Sequence, residues 1–230
     1  MPTPTRARAP RPRVRLSAAE RHEQLLLIAR SVFAERGFEG ASVEEIAARA
    51  GVSKPVVYEH FGGKDGAYKE VVERETTTLH SAIRTALTTP GARARETLER
   101  GALALLDYID GCPDGFRILS RDSSLANPNG SFASILSDIA MQVEDILVAD
   151  FDRLGLESAF APLYAQALVG LVTMTGQQWL ETREPDRLVV ARHLINLAWN
   201  GMAHLRPDPQ LLVERLDRER PRNSGDDSAA

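Results

Sequence analysis

Apolar residues recur at spacings of three and four along most of this chain and nowhere alternate one by one, so the pattern predicts helices and no sheet. The first helix opens at Ser17, which has Glu20 three residues on in the arrangement of a capping box. It carries Leu25, Ile28, Ala29, Val32 and Phe33 on one face, and Gly37 supplies its stop. The stretch Ser42 to Tyr68 then reads as a short helix, a tight turn at Gly51 and a second short helix, with Ser42 and Ser53 each placed to cap a helix start. Ser42 with Glu45 forms a second capping-box pattern. Val43, Ile46 and Ala47, then Val52, Val56 and Val57, supply the faces that pack the pair together, with Phe38 completing the small core. The opposite face of the second helix carries Lys54, Tyr58 and His60. A helix this short has no stability of its own, so a polar, basic face on it predicts a partner into which it docks, although two capped helices around a turn also make plain corners in helical proteins.

Gly62 and Gly63 break the chain before a long helix from about Lys64 to Leu87. Its first part (Ala67, Tyr68, Val71, Val72) is placed to pack on the preceding helices, and its second part (Leu79, Ile83, Leu87) to reach the C-terminal helices. About 24 residues of helix span roughly 36 Å, which predicts a mechanical link. After Pro90 and Gly91 the pattern predicts helices at about 93–110, 114–121, 131–154, 160–183 and 186–205, and a last amphipathic piece from Pro209 to Arg220. The expected fold is all-α, with an N-terminal three-helix, helix-turn-helix domain followed by a larger helical domain. The boundaries read as an arm at 1–16, a small domain at 17–63, the linking helix at 64–87, the larger domain at 88–220 and a polar tail at 221–230.

Composition narrows the classes. In 230 residues with 43% apolar side chains there is enough to bury a substantial core. The single cysteine, Cys112, excludes an internal disulfide framework and a multi-cysteine zinc site, and suits a reducing cytoplasm. His193 and His204 are eleven apart with no neighbouring ligands, so no metal site and no cofactor are expected. No run of about 18 apolar residues is evident and the N-terminus lacks a signal-peptide core, so a cytoplasmic protein without a membrane partner is expected. No nucleophile elbow, phosphate loop or paired-carboxylate motif points to catalysis.

Charge divides the chain unevenly. Residues 1–69 hold 12 Lys/Arg against 8 Asp/Glu, whereas residues 70–230 hold 16 against 24. All three lysines, Lys54, Lys64 and Lys69, lie in the first of these parts. One end can meet a polyanion that the other repels. Within the arm, four prolines and Arg6, Arg8, Arg11, Arg13 and Arg15 read either as a solvated tail or as a segment that tracks phosphates or enters a minor groove.

Taken together, residues 17–70 resemble the N-terminal domain of the tetracycline-repressor (TetR) family of transcriptional regulators. The match runs through Leu26 to Phe33, Gly37-Phe38, Ala41-Ser42-Val43, Ile46-Ala47, Ala50-Gly51-Val52-Ser53, Val57-Tyr58, His60-Phe61 and Lys64-Asp65. The resemblance implies a homodimer whose two reading helices enter successive major grooves of a pseudo-palindromic double-stranded DNA operator. It also implies a C-terminal domain that binds a small molecule and thereby releases DNA. Tyr58, His60 and Lys64 match family positions that contact the DNA backbone. Ser42, at a helix start, is placed to donate to a phosphate. Ser53, Lys54 and Pro55 stand at the leading end of the recognition helix, and Val56 is placed to touch a thymine methyl. Tyr58 also reads as a packing residue and His60 as a helix-end cap.

The remaining residues match the family only in being helical. Helices 160–183 and 186–205 are apolar on more than one face, and the resemblance supplies a second copy as their partner in a four-helix bundle. Small residues on this pair, including Ala167, Gly170, Ala191, Ala198 and Gly201 with Ile195, are the expected dimer interface. Family ligands lie among the helices between the linking helix and the bundle. That makes Tyr108, Phe116, Phe132, Met141, Met174, Gln178 and Trp179 candidates to line a site for an apolar or acyl-type effector, and Arg117 and Arg121 candidates for its anionic head; each also reads as core. Two other readings stay open: an all-helical enzyme whose N-terminal helices are structural, and a DNA-binding protein under no ligand control.

Overall fold

In the computed structural model, which describes residues 16–122 and 131–219, every regular element is a helix. They run in order α1 (Ala18–Gly40), α2 (Val43–Ala50), α3 (Lys54–Phe61), α4 (Lys64–Leu87), α5 (Ala94–Gly111), α6 (Pro113–Asp122) and α7 (Ser131–Leu154). A single 3-10 turn (Ser158–Phe160) leads into α8 (Ala161–Thr182), followed by α9 (Arg187–Ala203) and α10 (Leu212–Glu219). The Arg-rich arm, the segment 123–130 and the tail from 220 lie outside the described residues.

The chain divides into two compact units, one of Met1–His80 with Gly111–Ile135, the other of Ser81–Asp110 with Leu136–Ala230. The first is built on α1. Its start is held by the reciprocal capping box expected there: the Glu20 amide donates to Ser17 Oγ at 3.3 Å, and the Ser17 amide donates to the Glu20 carboxylate at 2.8 Å. Leu25, Ala29, Val32 and Phe33 are fully or almost fully buried. Gly37 leaves helical geometry (φ 71°, ψ 175°), so α1 kinks there and adds one more turn before Ala41. Phe38, just past the kink, joins Phe33 and Tyr68 in an aromatic cluster, with Tyr68 about 5 Å from each ring. This fastens α4 to α1.

Helix α6 also packs on α1. Arg121 Nη1 donates to the Ala34 carbonyl, one turn before the kink, at 2.6 Å. Where α6 begins, Arg30, Glu75 and Cys112 meet: Arg30 Nη1 lies 3.1 Å from Glu75 and 3.2 Å from Cys112 Sγ, and the thiol donates to Glu75 at 3.2 Å. Burial pushes the Cys112 thiol up to about 11, with the adjacent Glu75 acting in the same direction. The group is a charge pair taken out of water with a neutral thiol as its third member.

In the second unit, α5 and α8 approach closely: a Cβ at Gly176 would come within 2.6 Å of Ile109 Cδ1. Leu105, Leu106, Ile109, Val143, Leu147, Phe151, Ala165, Trp179 and Leu180 form its core. Trp179 Nε1 donates to the Pro185 carbonyl at 2.7 Å and so holds the turn into α9. Helix α8 leaves much of its apolar surface uncovered. The span Ser158–Thr182 is long and apolar enough by length and composition to cross a membrane, with mean hydropathy 1.3, and 28% of that window is buried in the protomer. Leu163, Met174, Leu188 and Leu197 on α8 and α9 are exposed.

Candidate nucleic-acid interface

Helices α2 and α3 are positioned by their turn. The Gly51 amide donates to Ala48 O at 3.2 Å and the Val52 amide to Ala47 O at 3.0 Å, closing the end of α2. Gly51 is left-handed (φ 66°), a conformation that a side chain would strain. At the start of α2, Ser42 Oγ accepts from the Glu45 amide at 3.2 Å, but the return half of the expected capping box is missing. The Glu45 carboxylate is taken instead by Arg49 Nη2 at 2.6 Å and Arg36 Nε at 3.4 Å, because two guanidinium groups outcompete one amide. Arg49 also grips Glu35 through two bonds of 2.7 Å, holding that carboxyl down at about 2.

Helix α3 buries Val57 and Phe61 and turns its other side outward. Ser53 occupies the N-cap position without a side-chain cap bond, so its hydroxyl faces solvent at the leading end of the helix. Lys54 and Pro55 are exposed beside it, Val56 is half-buried, and Tyr58 is 53% exposed, too much for a mainly packing residue. Lys54 is not free: it forms an ion pair with Glu44, at the start of α2. His60 is half-buried, 5.5 Å between ring centroids from His22, whose Nε2 meets Glu70 at 2.5 Å. Lys64 behaves differently. Its ammonium donates to the Phe38 carbonyl at 2.9 Å and lies 4.3 Å over the Phe38 ring, so it caps the turn after the kink.

The electrostatics of this head are not those of a basic domain. Residues 16–69 hold 7 Lys/Arg and 8 Asp/Glu, and each of those seven cations has an acceptor: Arg21 on Gln24, Arg30 on Glu75, Arg36 and Arg49 on acidic residues of α1 and α2, Lys54 on Glu44, Lys64 on Phe38 O and Lys69 on Glu73. The excess positive charge of residues 1–69 therefore comes from Arg6, Arg8, Arg11, Arg13 and Arg15, in the segment outside the described residues.

The residues proposed from sequence to bind a ligand are scattered. Phe116 and Phe132 are buried, edge to face at 5.7 Å, in the core of the first unit. Arg117 pairs with Asp114 at 3.5 Å, and Arg121 is committed to Ala34 O. In the second unit Tyr108 and Trp179 are buried, whereas Met141, Met174 and Gln178 are all exposed. Sequence reasoning missed a depression of about 320 Å³ between α5 and α9, lined by Arg95, Glu99, Leu103, Leu188, Ala191, Arg192, Ile195 and Asn196. No sequence signal marks it, since it exists only where two separate helices meet. Among the residues expected at a dimer interface, Ala167 and Gly201 are exposed, Gly170, Ile195 and Ala198 are partly exposed, and Ala191 is buried within the protomer. Among the described residues no three His, Cys, Asp or Glu side chains group as a metal site.

Comparison with known proteins agrees with this architecture. Residues 25–71 match the model of bacterial regulatory proteins of the tetR family, and residues 82–210 match a tetracyclin repressor-like C-terminal domain. The chain is 33% identical over 196 residues to the HTH-type transcriptional activator FasR of Mycolicibacterium smegmatis, covering 83% of this chain and 87% of that protein. A TetR-like transcriptional regulator from Rhodococcus sp. RHA1 superposes with a TM-score of 0.70 at 28% identity, covering 83% of this chain and all of that one. The transcriptional regulator FadR of Bacillus subtilis, solved in complex with stearoyl-CoA, has the same fold at 20% identity (TM-score 0.61), covering 77% of this chain and 97% of the other.

Proposed function

The chain belongs to the bacterial tetR family of regulatory proteins and is a DNA-binding transcriptional regulator, and on that premise we propose that it acts as a homodimer on a pseudo-palindromic operator under the control of a small acyl-type ligand. The observation that carries the DNA assignment is the outward side of α3, where Ser53, Lys54, Pro55 and Tyr58 stand exposed while Val57 and Phe61 anchor the helix. Ser42, His60 and Lys64 flank it and are assigned to the phosphates. Since residues 16–69 alone carry a net charge of −1, the arm arginines Arg6, Arg8, Arg11, Arg13 and Arg15 are assigned to phosphate contact too.

Dimerisation is assigned to α8 and α9. Their exposed leucines form a face that water disfavours, and an added Cβ at Gly170 or Gly201 would meet open space, leaving room for a second backbone. Two reading heads then gain from effective concentration. Stearoyl-CoA in FadR of Bacillus subtilis makes an acyl chain the first effector to test. We place the effector in the second unit, with Tyr108 and Trp179 as lining, and α4 as the element that feels its presence, because one continuous helix contributes residues to both units. The protein is assigned no catalytic role and a cytoplasmic location.

Repression relieved by ligand is the leading reading. Activation is the second, favoured by the name of the FasR relative. A reporter whose operator lies downstream of the promoter, and another whose operator lies upstream, separate the two when each is read with and without long-chain acyl-CoA. Mobility shifts on the DNA flanking its own gene test the premise; absence of any sequence-specific shift defeats it.

A further inference from the structure

Helix α3 has the sequence KPVVYEHF, in which Lys54 is the one Lys or Arg. A long cation at the leading end of a recognition helix is the group that takes guanine O6 and N7 in the major groove. Here it is already engaged. Its ammonium meets the Glu44 carboxylate, and both side chains stay open to solvent, Lys54 at 51% and Glu44 at 59%.

The pair does little for the fold. An exposed ion pair contributes at most a small stabilisation, and an acidic group in the first turn of α2 is already supplied by Glu45. Glu45 has a structural task, since Arg36 and Arg49 tie it to α1 and to its own helix. Glu44 instead meets Lys54 at the leading end of α3, the end assigned above to reading DNA, where a carboxylate is repelled by phosphates. Its position makes chemical sense if something in the groove rewards it. The donor next to a guanine edge is cytosine N4, and carboxylates accept from it.

We propose that Glu44 is a specificity-determining residue of the reading head, withholding the Lys54 ammonium from phosphates and releasing it at a G·C base pair, where guanine O6 and N7 take the ammonium and cytosine N4 donates to the freed carboxylate. The inference rests on the DNA-reading assignment made above. On unrelated DNA the exchange is unfavourable: Lys54 gains one phosphate, and Glu44 keeps only its own backbone amide as a partner beside a polyanion. On a G·C pair both partners are replaced. The head therefore discriminates by suppressing binding to wrong sequences as well as by favouring the right one.

The test uses the full chain and three proteins: the natural sequence, Glu44→Gln and Lys54→Gln. Each is taken through selection from a random-sequence duplex library. Affinity for the operator so recovered and for an unrelated duplex is then measured by fluorescence anisotropy across a range of KCl. Glu44→Gln is expected to bind the unrelated duplex about 3- to 10-fold more tightly, with a salt slope steeper by about one phosphate. Its selected sites are expected to show a weakened G·C preference at one position of each half-site, the same position at which the preference is lost in Lys54→Gln. Unchanged affinity and slope on unrelated DNA, or an undiminished G·C preference at that position in Glu44→Gln, overturns the proposal. If the natural protein itself enriches no sequence, the DNA-reading assignment falls, and the proposal with it, before any variant is compared.

Discussion

Gly66→Ala is the sharpest single test of how the recognition helix is held. Gly66 lies in the first turn of α4, and a Cβ built on it would sit 1.8 Å from the carbonyl oxygen of Phe61, the last residue of α3. Real Cβ atoms essentially never come within 3.0 Å of another heavy atom, so the two backbones must separate by at least the difference, about 1.2 Å. Neither side is a flexible side-chain end: one is the start of a 24-residue helix, the other is held by Val57 and Phe61 in the core. Alanine is intrinsically better than glycine in a helix by about 1 kcal/mol. Overpacking costs about 1–3 kcal/mol, and a 1.8 Å approach between two backbones belongs at the upper end of that range, so the collision outweighs the propensity gain and the expected net loss is about 2 kcal/mol. Equilibrium urea unfolding at fixed protein concentration measures it, with Gly111→Ala as the control, because a Cβ there meets nothing within 4 Å. Operator affinity is expected to fall along with stability, since the separation displaces the end of α3. A Gly66→Ala protein as stable as its parent and with undiminished operator affinity would refute the argument that this close approach sets the position of α3.

Single contacts set the other expected outcomes. Lys64→Gln is expected to weaken binding to all sequences alike and to reduce the salt slope by about one, and also to lower stability by about 1 kcal/mol through the uncapped Phe38 carbonyl; anisotropy and urea melts read the two separately. Glu75→Ala strands Arg30, whose Nε already lacks a hydrogen-bond partner, and is expected to cost about 2–4 kcal/mol in the same unfolding assay. The Cys112 thiol, pushed up to about 11, is expected to react with a disulfide reagent at pH 8 only as the protein unfolds. The unfolded thiol ionises first, near 9, so its contribution is fully present below that pH and is lost as pH rises toward about 11; Cys112→Ala removes this alkaline component. Deletion of residues 1–15 is expected to flatten the salt dependence of DNA binding, and an unchanged slope counts against the arm.

Helical periodicity placed the elements well because each is a local matter. The helix expected at 131–154 is Ser131–Leu154, and that expected at 64–87 is Lys64–Leu87. The exposed side of α3 was legible for a related reason: an eight-residue helix that buries Val57 and Phe61 on one side has only one other side to offer. What sequence could not yield were choices among competing partners. Glu45 fits the capping-box pattern, yet Arg36 and Arg49 claim it, and Lys54 reads as a free cation until Glu44 is seen beside it. The ligand candidates were least legible, since Phe116 and Met174 look alike in an apolar pattern. One is sealed in a core and the other is 65% exposed, a distinction set by which distant helices meet.

The uncovered apolar face of α8 and α9 bears on how this regulator is made. A protomer that leaves the ribosome alone carries Leu163, Met174 and Leu197 into a crowded cell, where any sticky surface competes for them. On the dimer reading, chains translated from the same message have the advantage of arriving together, so self-recognition is favoured by birthplace as well as by fit. Copy number then becomes a structural variable: dilute protomers are poorly covered and open to quality control, and the pool that survives is the pool already paired.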